Sequence, residues 1–231
     1  MKNPRVLWVL AVGAALAAVA GCAPSAAPAT PTPYSSASST PTPSPTPTPT
    51  LTAITVTSQS LVATDQNGTV LADLPYKVAD PATIEILTAL FGFAPTVTET
   101  PRETHTDAFG GTIYDWEGFS VRWPGRWADE PGSGYPDISV RASTASVRGV
   151  PVATAGGLAV GDPGDLTVQF PDSSDTFAMS DGGVLTSAWI DCIAVEVPEV
   201  PNAADCVGLF ATPSDVSITT LSAPYQFAYG L

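Results

Sequence analysis

Residues 51–231 predict an α+β fold, a mainly antiparallel sheet carrying two short helices. Three observations lead there. Short runs rich in Val, Ile, Thr and aromatic residues recur along this stretch, separated by Gly, Asn, Asp and Pro turn signals. Only two segments open as helices do, each with Asp-Pro. These starts, Asp80-Pro81 and Asp162-Pro163, stand 82 positions apart, and each precedes a Trp-bearing strand (Trp116, Trp189). That spacing is compatible with two degenerate repeats. The match is a few residues long, and chance produces such matches as readily.

Taken in order, Ile54–Val62 and Thr69–Leu74 flank Asp65-Gln66-Asn67-Gly68, and Asn-Gly supplies the positive φ of a hairpin turn. A helix follows: Asp80 caps it, Pro81 fits its first turn, and Ile84, Ile86, Leu87, Leu90 and Phe91 form a wide apolar face up to Gly92. So wide a face must pack on a sheet. Thr112–Trp116 and Phe119–Trp123 make a second hairpin around Glu117-Gly118, with strands at Ile138–Ala142 and Val150–Val160. Asp162-Pro163-Gly164-Asp165 opens a short helix bearing Leu166, Val168 and Phe170, and Pro171 ends it. After a polar loop at 171–183, strands are expected at Val184–Val197, Cys206–Ala211, Val216–Leu221 and Tyr225–Tyr229.

The beginning of the chain gives an address. Lys2 and Arg5 precede an apolar run, residues 6–20, that is shorter than the about 20 residues a bilayer core requires. Small residues then lead to Val19-Ala20-Gly21-Cys22, the three-part layout of a secretory signal peptide. This run resembles the lipobox of bacterial lipoproteins, an aliphatic residue, two small residues and a Cys. The resemblance implies cleavage after residue 21, acylation of Cys22 and anchoring on the outer face of the cell membrane. Two acyl chains suffice for stable anchoring, at about 0.8 kcal/mol per buried methylene.

Residues 23–50 hold 9 Pro, 7 Thr, 6 Ser and 5 Ala and no charge. Such a composition cannot build a core and predicts a disordered stalk. At about 3.1 Å per residue in the polyproline conformation it reaches up to roughly 90 Å. Its Ser, Thr and Pro density resembles O-glycosylated stalks. Abundant Ala, Pro and Thr with scarce Lys make residues 1–50 similar to lipoproteins of actinobacteria. The domain boundaries expected are therefore 1–21, 22–50 and 51–231.

Removal of residues 1–21 leaves six basic against 22 acidic residues, a net charge of −16. Beyond Arg148 there is no Lys or Arg, while ten acidic residues follow. A surface of that sign repels phosphate backbones, so nucleic acid is excluded as a partner, and a basic envelope protein or a glycan remains. Cys192 and Cys206, the only other cysteines, are expected to be bonded in an exported chain. Closing a loop of that length is worth about 3 kcal/mol by chain entropy.

Chemistry is harder to find. Glu103, His105 and Asp107 would share one face of an extended segment, but i, i+2 side chains diverge too far for a catalytic metal. There is one histidine and no Gly-x-Ser-x-Gly, which disfavours triad hydrolysis. Lys77, the only lysine beyond residue 50, is read as the gatekeeper of a strand edge. Asp162, Asp165, Asp172, Asp175 and Asp181 suit calcium in type, yet no EF-hand spacing holds them, and they read as capping and solubilising groups.

Asp115 and Glu117 suggest a carboxylate pair for hydrolysis of envelope glycan, but a hairpin turn leaves both solvated, and catalysis needs one raised in pKa. Trp116, Trp123, Arg126 and Trp127 form the candidate binding patch, aromatic residues interleaved with arginine. No catalytic residue, cofactor or metal ligand is assigned. The sequence predicts a membrane-anchored binding or envelope structural module, with the carboxylate hydrolase as alternative. If the repeat holds, the fold resembles the tandem modules of secreted β-lactamase inhibitor proteins, which present an antiparallel sheet as a binding surface.

Overall fold

The computed structural model describes residues 50–78, 80, 82–100, 111–123, 136–179, 182–196, 203–212 and 217–228. All of them lie within one compact unit, Thr46–Leu231. The elements are β1 (Leu51–Val56), β2 (Ser60–Asp65), β3 (Val70–Pro75), α1 (Ala82–Phe91), β4 (Thr96–Thr100), β5 (Gly111–Trp116) and β6 (Phe119–Trp123). They continue with β7 (Ser139–Ala142), β8 (Ser146–Val147), β9 (Val150–Thr154), α2 (Leu166–Gln169), β10 (Ser174–Ala178), β11 (Val184–Ala194), β12 (Ala203–Ala211) and β13 (Ile218–Ala228). The fold is thus mainly β, which corrects the α+β expectation. Helices of ten and four residues are too short to form a layer of their own.

The strands form a five-stranded sheet ordered β3-β2-β1-β9-β8 and an eight-stranded sheet ordered β10-β11-β12-β13-β7-β6-β5-β4. Every pairing is antiparallel except β1 with β9. In the larger sheet, two four-stranded meanders meet where β13 pairs with β7. One buried cluster joins Ile54, Val56 and Leu61 of the small sheet to Trp116, Phe119, Leu209 and Leu221 of the large one. Leu87 of α1 and Leu166 of α2 complete it, both without solvent exposure. Phe91 at the end of α1 stacks at 5.7 Å from Trp116 and 5.8 Å from Phe119, which fixes the helix on the sheet's inner face.

Local chemistry explains most boundaries. Asp65 Oδ1 accepts the amides of Asn67 and Thr69, and Gly68 takes φ +75°, so the first hairpin turns where its sequence signals. Asp80 Oδ1 accepts the Ala82 amide at 2.8 Å and starts α1, which Gly92 ends at φ +75°. The expected strand Ile54–Val62 is in fact two strands. Thr57 Oγ1 accepts the amides of Gln59 and Ser60 and reverses the chain between them.

The strand expected to run through Val160 stops at Thr154, where Thr154 Oγ1 receives the Leu158 amide. The second helix is four residues long and its Asp165 makes no capping bond to the backbone; Asp165 Oδ1 accepts the Thr167 hydroxyl, and Asp162 Oδ2 accepts the Ala159 amide. Part of the polar loop expected at 171–183 is strand β10. The segments expected separately at 216–221 and 225–229 form, as far as described, the single strand β13.

Candidate functional site

The aromatic patch does not form as expected. Trp116 has no exposed surface and packs in the core, because the residue opposite it, Phe119, points inward on the same row. Trp123 is half-buried against that core, while Arg126 and Trp127 lie outside the described residues. Asp115 Oδ1 accepts the Gly118 amide at 3.0 Å, and Glu117 binds Arg148 at 2.7 Å. Asp115 therefore serves the β5–β6 turn, and Glu117 ties that turn to Arg148 between β8 and β9. Among the described residues no His, Cys, Asp and Glu group is arranged to hold a metal. Glu103, His105, Asp107 and Asp181 are not among those residues.

Cys192 and Cys206 form a disulfide. It closes over a bulge in β11, between Ile190 and Ile193, where Asp191 takes φ +53°. The bulge re-aims Asp191, whose Oδ2 accepts the Ser58 amide of the β1–β2 turn at 3.0 Å. A covalent link on one sheet thereby holds a hydrogen bond to the other.

Among the described residues, two cavities of the domain have a distinct lining. The first, about 530 Å³, lies on the solvent face of the large sheet, opposite the core. Leu185, Phe210, Pro224 and Tyr225 give it an apolar wall, with Met179 and Arg141 beside them. Phe210 and Tyr225 meet edge to face at 5.5 Å across Gly208. A Cβ at Gly208 would stand 3.1 Å from the Phe210 ring and 3.2 Å from Tyr225, so glycine allows both rings to close over the strand. No carboxylate lines this groove among the described residues, in a chain with 22 of them.

The second cavity, about 330 Å³, lies where the β1–β2 turn, the end of β3 and β12 converge. Ser58, Asp73, Tyr76, Lys77 and Asp205 line it. Lys77 follows the edge strand β3, and its Nζ also stands 3.0 Å from Asp205 Oδ2. Ser58, Tyr76 and Asp205 are 1%, 1% and 3% exposed, yet Ser58 Oγ, Tyr76 OH and Asp205 Oδ1 have no hydrogen-bond partner. Burial first, then the nearby charges of Asp191 and Asp73, push the Tyr76 phenol well above its ordinary 10.0, so it is a fixed donor. The sequence signalled this site only through Lys77, the one lysine beyond residue 50.

Comparison with protein-family models, with curated proteins and with solved structures found no match to this chain.

Proposed function

We propose that the protein is an extracytoplasmic lipoprotein, anchored through Cys22 and raised on the stalk 23–50, that binds a protein partner on the open face of its large sheet. The groove carries this reading: an apolar wall of Leu185, Phe210, Pro224 and Tyr225, with no carboxylate among the described residues that line it, on an otherwise acidic molecule. Ser139, Arg141, Thr219, Thr220 and Ser222 line the rest of it, and a concavity that sets an apolar wall beside convergent polar groups is where ligands bind. The net charge of −16 on the mature chain favours a basic partner, drawn in at long range and held by apolar contact in the groove.

The sheet supports the degenerate-repeat reading as well. Moving Val140 and Arg141 by the 82 positions between the Asp-Pro starts gives Ser222 and Ala223, and the observed pairs are Val140 with Ala223 and Arg141 with Ser222. A dyad through this junction exchanges the two pairs. The tryptophans do not obey it, since Trp116 faces the main core and Trp189 packs with Ala204 and Cys206 in a separate cluster.

Metabolic labelling with an alkyne fatty acid tests the anchor: the wild type takes the label, and Cys22→Ala does not. A photo-crosslinker at Thr220 in the full-length protein tests the face. One basic envelope protein should be captured, less at high salt and not by Phe210→Asp. Equal capture by Phe210→Asp would remove the groove from the reading.

A further inference from the structure

The polar cavity is independent of the groove and has its own chemistry. Three polar atoms on its lining residues, Ser58 Oγ, Tyr76 OH and Asp205 Oδ1, are buried without partners. One such atom is a tolerable defect; three on the residues of one cleft, just beneath its surface, form a set of unmet donors and acceptors. We propose that this cleft binds one sugar ring of an uncharged glycan, whose hydroxyls supply what the three atoms lack.

The charges select against other ligand classes. An anion entering the cleft meets Asp73 and Asp205. A cation must displace or adjoin Lys77, already 3.0 Å from the Asp205 carboxylate. A metal lacks ligands, since no suitable group of His, Cys, Asp or Glu exists among the described residues. A hydroxyl, by contrast, both donates and accepts. Ser58, Tyr76 and Asp205 lie just beneath the cleft surface, and a rotation of their side chains toward it would let one hydroxyl give its proton to Asp205 Oδ1 and accept one from Tyr76, and a neighbouring hydroxyl serve Ser58. The volume, about 330 Å³, is at the small end of ligand pockets and suits a single ring better than a longer segment. Ordered water is the competing occupant, and it must be beaten for a ligand to bind.

The test uses the full-length protein in detergent, isotopically labelled, titrated with methyl glucoside, methyl mannoside, methyl arabinofuranoside and N-acetylglucosamine. Inorganic phosphate and choline serve as charged controls. At least one sugar should shift the amide signals of Gln59, Ser60 and Lys77 saturably, and neither control should. Tyr76→Phe and Ser58→Ala should each weaken that binding about tenfold, or less for the serine, while the melting temperature is kept. Retained stability separates a ligand contact from a structural one, since deleting an unpartnered hydroxyl removes no bond from the free protein.

Three outcomes would overturn the proposal: no response to any of the four sugars, undiminished binding by both variants, or a stronger response to phosphate or choline. Absence of sugar binding together with a lower melting temperature for both variants would identify the cleft as a hydrated structural cavity.

Discussion

Asp191 Oδ2 accepts the backbone amide of Ser58 at 3.0 Å, joining β11 of the large sheet to the β1–β2 turn of the small one. The bond exists because a bulge puts Asp191 at φ +53°, a conformation that Asp and Asn tolerate better than most residues. It also fixes the backbone beside Ser58, on the rim of the polar cleft.

Asp191→Ala should therefore destabilise the domain by about 1–2 kcal/mol, from the lost bond and the strained backbone together. Asp191→Asn keeps an acceptor and the conformational tolerance, and should melt close to wild type. Chemical denaturation of the two variants checks the contrast; equal losses would show that charge, rather than geometry, governs the site.

The ion pair between Lys77 and Asp205 makes a different demand. The Asp205 side chain is 4% exposed and that of Lys77 42%, so the lysine is the partner that water can replace in part. Lys77→Met should cost about 1–3 kcal/mol by leaving a buried carboxylate poorly paired. Adding Asp205→Asn should recover part of that loss. A double-mutant cycle measures the coupling, and a coupling of zero would mean that the pair contributes nothing to stability.

Much of this architecture was legible in sequence wherever one short segment determines its own geometry. Asp65 to Gly68 and Glu117-Gly118 turn because Asn, Asp and Gly provide the hydrogen bonds and positive φ required, and Asp80 and Gly92 bracket α1 for the same local reasons. Strands β4 and β10 were missed. They are the two edges of the large sheet, mostly exposed, so no apolar alternation marks Thr96–Thr100 or Ser174–Ala178. The turn at Thr57–Gln59 has neither Gly nor Pro and works through a threonine hydroxyl. Trp116 was misplaced on the surface because period-two alternation gives two faces without saying which is inward. The polar cleft was hidden for a further reason: Ser58, Tyr76 and Asp205 meet only after the two sheets pack.

Gly164 tests a close approach of two backbones. Pro163 bridges Ser217 in an isolated antiparallel pair, and a Cβ on Gly164 would lie 2.5 Å from the Ser217 carbonyl carbon. Backbone cannot rotate away as a side chain can. Gly164→Ala should therefore destabilise by about 1–3 kcal/mol, despite the usual entropic gain from replacing glycine. The same change at Gly156, where the nearest atom stands 3.8 Å away, should be near neutral. Thermal melts of both variants suffice, and an unchanged Gly164→Ala melt would mean that the two segments separate freely.

Burial of the Tyr76 phenol predicts a loss of stability at alkaline pH. Its folded-state pKa lies well above the ordinary 10.0, chiefly through burial and secondarily through Asp191 and Asp73. Above about pH 10 the unfolded chain releases this proton while the folded one keeps it, so the unfolded state binds fewer protons and stability falls as pH rises. The contribution is complete below the unfolded value and is lost progressively toward the raised folded one. Tyr76→Phe has no proton to lose and should show a shallower decline above pH 10, rising above the wild type there after matching it at neutral pH. Urea midpoints measured from pH 7 to 11 provide the comparison. Parallel curves would mean that the phenol ionises in the folded state as easily as in the unfolded chain, and that the cleft is wetter than its geometry implies.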